Sequence, residues 1–173
     1  RRIADMGDMA LSSCVALPAS LTNESKVLIV SSWDNRVYAY SIDYGRILDT
    51  VTGHDDAVAK ISISDDTLMS CSWDSSVKLW KCAPTGFEKV PILEFTDHQT
   101  PVQCCSFDAS GNLAVSGSED GEIAVYDIRQ KKNLYLFTGH FDALRDISFL
   151  GGDSRRIVTC SKDKTIKMFE LNG

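Results

Sequence analysis

Short runs of alternating apolar and polar residues fill most of the chain and predict β-strands. They are rich in Val, Ile, Ser, Thr and aromatic residues, and turn residues separate them. In segment 57–95 the runs are AVAKISI, TLMSCS, SVKLWK and VPILEF. The sequence shows no strong periodicity of 3.6 residues, which a helix would require. The pattern therefore predicts an all-β chain.

One phrase recurs and divides the chain into four repeats. An aspartate is followed six residues later by an aromatic residue in SWDNRVYAY, SWDSSVKLW, EDGEIAVY and KDKTIKMF. The aspartates Asp34, Asp74, Asp120 and Asp163 are 40, 46 and 43 residues apart. A period of about 40–45 residues with Gly-His and Trp-Asp marks is typical of β-propellers, in which each four-stranded repeat forms one blade. The last repeat ends after its third strand, so we expect about fifteen strands.

The histidines of the chain share one position of this repeat. His54, His98 and His140 precede the aspartates of their repeats by 20, 22 and 23 residues. A Ser or Thr also stands four residues before each of these aspartates. Buried polar groups need partners. We therefore expect a hydrogen-bond relay within each blade, in which the aspartate holds one ring nitrogen of the histidine and the hydroxyl holds the other.

The aromatic residue would close this relay. Tryptophan can donate its indole N–H, tyrosine offers only its hydroxyl and phenylalanine has no polar group. The first repeat has no histidine, so its relay should be largely absent. The predicted relay residues are His54, Ser70, Asp74 and Trp80; His98, Ser116, Asp120 and Tyr126; His140, Thr159, Asp163 and Phe169; and Asp34 in the first repeat.

Histidine, serine and aspartate also compose hydrolase triads, which makes an enzyme the competing hypothesis. A triad needs one exposed nucleophile, whereas this set recurs three times at nearly constant spacing beside an aromatic residue. The sequence also lacks the G-x-S-x-G nucleophile elbow. We therefore predict no catalytic residue in this chain.

Composition narrows the remaining classes. The hydrophobic fraction of 43% suits a folded domain, and no apolar run is long enough to cross a membrane. The net charge of −6 argues against a broad nucleic-acid surface, so we expect protein partners. The six cysteines form no C-x-x-C pair, which argues against a zinc or redox site. Reduced, buried thiols in a cytoplasmic protein without a cofactor or a metal are the expected state.

These marks closely resemble those of the WD-repeat family, above all GHDDAV and SCSWDSSVKLW. The segments MALSSC, SSWDNRVYAYSIDYGRILDT and GHDDAVAKI further resemble the WD part of the BEACH–WD family. The resemblance implies an adaptor that couples a receptor's cytoplasmic tail to neutral sphingomyelinase activation or to membrane-trafficking machinery. It also implies a BEACH domain upstream, through which the parent protein would lie near membranes. A WD-repeat scaffold subunit of another intracellular complex is the alternative.

The predicted organisation is one propeller segment over residues 1–173. Its repeats cover approximately residues 9–52, 53–96, 97–138 and 139–173. Members of the WD family commonly have about seven blades, and propellers in general have about four to eight. We therefore expect these four repeats to form a partial arc of a larger ring.

Any partner should bind a face of the propeller, because the interior of a blade only packs. One face carries the residues that precede the turn aspartates and those that follow the histidines. Two neighbouring repeats place a tryptophan there, as a binding anchor or as a cover over the adjacent blade. Asp55 and Asp56 would favour a basic partner segment or form a solvated loop. The candidate partner-binding residues are Trp33, Trp73, Asp55, Asp56, Glu119, Phe141 and Lys162.

Overall fold

The computed structural model describes residues 5–22 and 26–171 of the chain. In this part the backbone forms sixteen β-strands and one short helix, α1 (Ala19–Thr22). The strands are β1 (Leu11–Ala16), β2 (Val27–Ser32), β3 (Arg36–Ser41), β4 (Arg46–Thr52), β5 (Val58–Ser64), β6 (Thr67–Ser72), β7 (Val77–Ala83), β8 (Gly86–Phe87), β9 (Leu93–Phe95), β10 (Val102–Phe107), β11 (Leu113–Ser118), β12 (Glu122–Asp127), β13 (Lys132–Thr138), β14 (Leu144–Leu150), β15 (Asp153–Ser161) and β16 (Ile166–Glu170).

Consecutive strands pair antiparallel and form four separate sheets. Their strand orders are β1-β2-β3-β4, β5-β6-β7-β8 with β9 also paired to β7, β10-β11-β12-β13, and β14-β15-β16. Each sheet is one blade, and the fourth contains three strands among the described residues. This arrangement confirms the predicted all-β propeller fold as a partial arc of four blades.

The outer edge of the second blade differs from the sequence prediction. We expected one strand over VPILEF, but only its end forms β9, while β8 lies in the segment APTGFEK, between the predicted runs SVKLWK and VPILEF. The reason is the length of β7: its end pairs with β8 through Cys82 and Phe87, and its beginning pairs with β9 through Val77 and Phe95. The described residues therefore contain sixteen strands instead of about fifteen.

Three apolar clusters lie between neighbouring blades and hold the arc together. The first joins blades one and two and includes Ile29, Val37, Ile61 and Trp80. The other two join blade two to blade three and blade three to blade four. Each blade is therefore stabilised mainly by its neighbour, as in other stacked repeats.

The innermost strand of every blade has an irregular register near its first residues. The shifts lie between Leu11 and Ser13, Val58 and Lys60, Val102 and Cys104, and Leu144 and Asp146. A β-bulge leaves one residue unpaired and changes the direction of its side chain. The unpaired residues are Ser12, Ala59, Gln103 and Arg145, one from each blade.

Candidate functional site

The second blade contains a continuous hydrogen-bond relay. His54 Nδ1 lies 2.8 Å from Asp74 Oδ2, and its Nε2 lies 2.7 Å from Ser70 Oγ. The indole N–H of Trp80 donates to the same serine hydroxyl at 2.8 Å. Because a carboxylate only accepts, the proton of the neutral imidazole lies on Nδ1 and Ser70 donates to Nε2. The four predicted residues of this repeat therefore lie together.

A hydroxyl that the sequence reasoning missed completes this site. Ser76 Oγ donates to Asp74 Oδ1 at 2.6 Å, and its backbone N–H donates to the same oxygen at 2.9 Å. Burial alone would raise the pKa of Asp74, but the hydrogen bonds from His54 and Ser76 outweigh it and hold the pKa well below its usual value. The carboxylate is therefore ionised in the folded protein at neutral pH.

The fourth blade repeats this geometry. His140 Nδ1 lies 2.8 Å from Asp163 Oδ2, and Nε2 lies 2.7 Å from Thr159 Oγ1. Thr165 occupies the position of Ser76 and donates to Asp163 Oδ1 at 2.6 Å. Phe169 ends this relay with an edge-on ring contact to His140, with centroids 6.3 Å apart. A hydroxyl two residues after the aspartate in both repeats was a visible signal for this missed position.

The third blade has only half of the relay. His98 Nε2 lies 2.7 Å from Ser116 Oγ, which lies 3.1 Å from the Tyr126 hydroxyl. Among the described residues, however, His98 Nδ1 is buried without a hydrogen-bond partner. The structure does not bring Asp120 to this nitrogen. Asp120 instead accepts the Ser118 hydroxyl at 2.5 Å.

The residue two positions after the aspartate accounts for this difference. It is Glu122 here, whose carboxylate stands 4.0 Å from His98 Nδ1 and supplies no hydroxyl to the turn. Burial lowers the pKa of His98 to about 4, so this imidazole is neutral at physiological pH.

The first blade holds its aspartate by a different partner. The Tyr38 hydroxyl donates to Asp34 Oδ2 at 2.6 Å, and the backbone N–H of Asp8 donates to the same oxygen at 3.2 Å. Tyr38 is therefore the aromatic residue that contacts this turn.

Burial separates these histidines from any substrate. His98, His140 and Ser116 are at most 3% exposed, as are their counterparts Ser70 and Thr159. A triad requires a hydroxyl that a substrate can reach. The described part of the chain also contains no cluster of three or more His, Cys, Asp or Glu side chains arranged to hold a metal ion.

The two tryptophans of the candidate face form one pair. The Trp33 and Trp73 rings lie 5.4 Å apart at 41°, and Trp33 remains 41% exposed. Trp73 is half-buried, and its indole nitrogen has no hydrogen-bond partner among the described residues. The ring contact shows that the two indoles cover neighbouring blades, whereas the role of Trp33 as a binding anchor stays a prediction.

Glu119 and Lys162 occupy, in blades three and four, the position that the two tryptophans occupy in blades one and two. The backbone N–H groups of Trp33, Trp73, Glu119 and Lys162 each donate to the residue just before the inner strand of their own blade, at 2.9–3.0 Å. These four residues therefore form one rim. The Phe141 ring is 93% exposed, and the Lys167 ammonium lies 5.1 Å from its centre.

The two acidic candidate residues already accept hydrogen bonds within the fold. Asp56 Oδ1 accepts the backbone N–H of Ala57 at 2.7 Å, which fixes its own turn. Asp55 is exposed, and its backbone carbonyl accepts the Asn35 side chain at 3.2 Å.

Comparison with known proteins places this geometry in a family. The family described as "Nucleolar protein 10-like, N-terminal domain", a β-propeller family, matches residues 16–173. The chain belongs to this family. The crystal structure of the computationally designed Ika4 protein superposes on this Nucleolar protein 10-like domain with a TM-score of 0.80. At 23% identity, covering 98% of this chain and 96% of that one, this likeness shows the fold alone.

The Nucleolar protein 10-like domain also matches parts of longer curated proteins. Autophagy-related protein 16 from Arabidopsis thaliana is 29% identical over 89% of this chain. Poly(A)+ RNA export protein from Schizosaccharomyces pombe is 31% identical over 68%, and human Pre-mRNA-processing factor 17 is 30% identical over 83%. The chain spans 30%, 34% and 25% of the lengths of these relatives, respectively. These relatives support a WD-repeat domain, and none of them is named as a BEACH–WD protein.

The described helix is too short to cross a membrane, and no other helix of membrane-spanning length occurs among these residues.

Proposed function

We propose that this domain is a non-catalytic protein-interaction scaffold, a WD-repeat subunit of a larger complex. Its partner docks on the face that carries Trp33 and Trp73. The observation that carries this proposal is the different location of two sets of residues. The polar groups able to do chemistry are buried inside blades, whereas an aromatic pair is left at the surface.

The physical argument rests on the properties of tryptophan at interfaces. Exposed tryptophans are frequent binding hot spots, because they bury a large apolar area and still offer an N–H donor. Trp33 has this exposure, and Trp73 holds it from one side. Propeller families of this kind are typically scaffolds, which agrees with the absence of an accessible nucleophile among the relay residues.

Partner capture with matched variants tests the proposal. The full protein, Trp33→Ala and Tyr44→Ala are used as bait, and captured proteins are quantified by mass spectrometry. Tyr44 is the control because it is 73% exposed and lies in the turn between β3 and β4, at the opposite end of the first blade. We expect a set of partners that the wild type and Tyr44→Ala retain and that Trp33→Ala loses. Equal capture by both variants would refute this face as the docking site.

A finer hypothesis is an adaptor similar to FAN, the factor associated with neutral sphingomyelinase activation. It rests on the resemblance of segment 9–80 to the BEACH–WD family. Such an adaptor would bind the cytoplasmic tail of a receptor, with the WD part as the contacting piece. Binding of a receptor-tail peptide that Trp33→Ala weakens and Tyr44→Ala does not weaken would support it. Failure of this peptide alone would leave the general scaffold proposal in place.

The exclusion of nucleic acid stays a prediction. Two relatives are named for RNA export and pre-mRNA processing, so RNA is the alternative partner to test. The net charge of −6 favours protein. We expect no retention of a labelled RNA in a gel-shift assay at low salt, where electrostatic binding is strongest. The cytoplasmic location likewise stays a prediction.

A further inference from the structure

We propose that the cavity beneath the tryptophan pair recognises an acidic peptide segment, with one carboxylate next to a large apolar side chain. This inference rests on the proposed function, since it names the chemistry of the partner at the same face. The cavity has a volume of about 420 Å³, within the range of small-ligand pockets, which is about 300–1,000 Å³.

The four bulges of the inner strands build the floor of this cavity. Its lining includes the unpaired residue of every blade, namely Ser12, Ala59, Gln103 and Arg145. The two tryptophans of the rim form its wall together with Leu11 and Leu144. The same bulge occurs near the start of the inner strand in each of the four blades. It therefore directs one side chain from each blade into this cavity.

Two polar side chains that line this space have no partner among the described residues. Among the described residues, the Gln103 amide and the Arg145 guanidinium make no hydrogen bond or ion pair, and the Trp73 indole N–H also lacks an acceptor. Ser12 differs, because its hydroxyl already donates to the Val58 carbonyl at 2.5 Å. A ligand that supplies acceptors would pair with Gln103 and Arg145, whereas the Trp73 nitrogen is itself fully buried and stays out of its reach.

The charge of the cavity selects an anion. None of the described lining residues carries a carboxylate, and Arg145 contributes one positive charge. The adjacent Asp146 does not neutralise it, because that carboxylate is paired with Lys60. Lys162 lies on the rim of the same blade and adds a second cation, while Glu119, on the rim of blade three, is the acidic residue among the four rim residues. The side next to blade four is therefore cationic, while blades one and two offer apolar surface.

This distribution favours a carboxylate over a phosphate. One guanidinium at the floor matches the single charge of an Asp or Glu side chain, whereas a phosphate carries about −1.5 to −2 and typically binds clustered arginines. The tryptophan wall would receive a neighbouring Leu, Met or Phe of the same segment. Asp55 and Asp56 do not line the cavity, so the expectation that they attract a basic segment concerns the outer loops rather than this space.

Oriented peptide libraries test the inference on the full protein. Three fluorescent libraries share random flanks and carry Glu-Leu, Gln-Leu or Lys-Leu at the centre, and a fourth carries phosphoserine-Leu. Fluorescence anisotropy compares the wild type with Arg145→Gln and Arg145→Glu. Lys132→Gln serves as the matched control, because it removes one exposed positive charge on the outer strand of blade three.

We expect the wild type to bind the Glu-Leu library at least tenfold more tightly than the Gln-Leu library, since a charge-assisted hydrogen bond is lost in the latter. Arg145→Gln should remove this preference, Lys132→Gln should keep it, and Arg145→Glu should shift it to Lys-Leu. Tighter binding of phosphoserine-Leu than of Glu-Leu, or equal effects of the two glutamine variants, would overturn the inference. Thermal melts confirm folding, and Arg145 has no contact whose loss should destabilise the blade.

Trp33→Ala separates this inference from the proposal on which it rests. If this variant weakens binding of all libraries while Arg145→Gln changes nothing, the face binds proteins without recognising an anion. In that case the inference fails and the scaffold function stands. If neither variant alters any interaction, including the captured partners, both fail.

Discussion

The Asp74→Ala substitution removes the acceptor of four hydrogen bonds at the turn of the second blade. They come from His54 Nδ1, the backbone N–H of Asp55, and the backbone and hydroxyl of Ser76, at 2.6–3.0 Å. The His54 side chain is 2% exposed, so its buried N–H would lose the carboxylate and keep only the more distant Ser76 hydroxyl, at 3.2 Å. Depriving one buried hydrogen-bond donor of its acceptor lowers the free energy of unfolding by about 1–3 kcal/mol. We therefore expect the free energy of unfolding to fall by about 2 kcal/mol.

Urea denaturation of the full protein, followed by circular dichroism, measures this loss. Asp55→Ala is the matched control, because it removes the same negative charge from an exposed side chain in the neighbouring turn. Exposed substitutions of this kind change stability by about 0.5 kcal/mol or less. If Asp74→Ala and Asp55→Ala lower the unfolding free energy equally, the relay does not stabilise the blade.

The pH dependence gives a second test of the same substitution. The pKa of Asp74 is lower in the folded protein than in the unfolded chain, so folding favours the ionised carboxylate. Its contribution is fully present above the unfolded pKa, about 3.9, and is lost as pH falls toward the folded value. The stability difference between wild type and Asp74→Ala should be constant from about pH 7 to pH 5 and should narrow below about pH 4. A difference that stays constant at low pH would refute the role of the carboxylate.

Three further substitutions test the packing, the hydrogen bonding and the backbone conformation of the blades. Trp80→Ala should cost about 3–5 kcal/mol in urea denaturation, because this side chain is 1% exposed; a loss below about 1 kcal/mol would contradict the packing. Glu122→Thr should raise the melting temperature by about 2–4 °C, since a hydroxyl could pair with the stranded His98 Nδ1 and gain about 1 kcal/mol; an unchanged melt would show that this nitrogen already has a partner. Gly121→Ala should destabilise by about 1 kcal/mol or more, because φ is +90° and a Cβ would approach the His140 carbonyl oxygen to 2.1 Å; an unaltered midpoint would contradict this.

The repeat made most of the fold predictable from sequence. Each blade must place an aspartate in one turn and an aromatic residue six positions later, so the spacing appears directly in the chain. The edge of the second blade was less predictable. There, Phe87 packs into the core between blades one and two, and its backbone N–H donates to Asp49 at 2.9 Å. A contact with a preceding blade, such as this one at β8, leaves no local pattern in the sequence.

The relay was predictable where the turn keeps a hydroxyl two residues after the aspartate, and the prediction failed where the turn lacks it. Blades two and four share a hydroxyl two residues after the aspartate, and both hold the histidine at 2.8 Å. The third blade has Glu122 at that position, and its aspartate bonds to Ser118 instead. The loss of this hydroxyl, in a turn that also has a glycine after the aspartate, thus accompanies a redirected carboxylate, which the spacing of Asp120 alone could not reveal.

The cavity depends on features of the fold that the amino-acid sequence does not show. Ser12, Ala59, Gln103 and Arg145 share no residue type, so no repeat signature marks them. They meet because a bulge recurs in each inner strand, where a change of residue does not disturb the ladder. These positions lie outside the relay. Ala59 packs against an interblade core and Ser12 bonds to Val58, whereas Gln103 and Arg145 make no such contact among the described residues, so the fold does not dictate the chemistry of these two. At this cavity, blades one and two contribute apolar surface, whereas blade four contributes cationic side chains. This difference can therefore determine partner specificity without lowering the stability of the propeller.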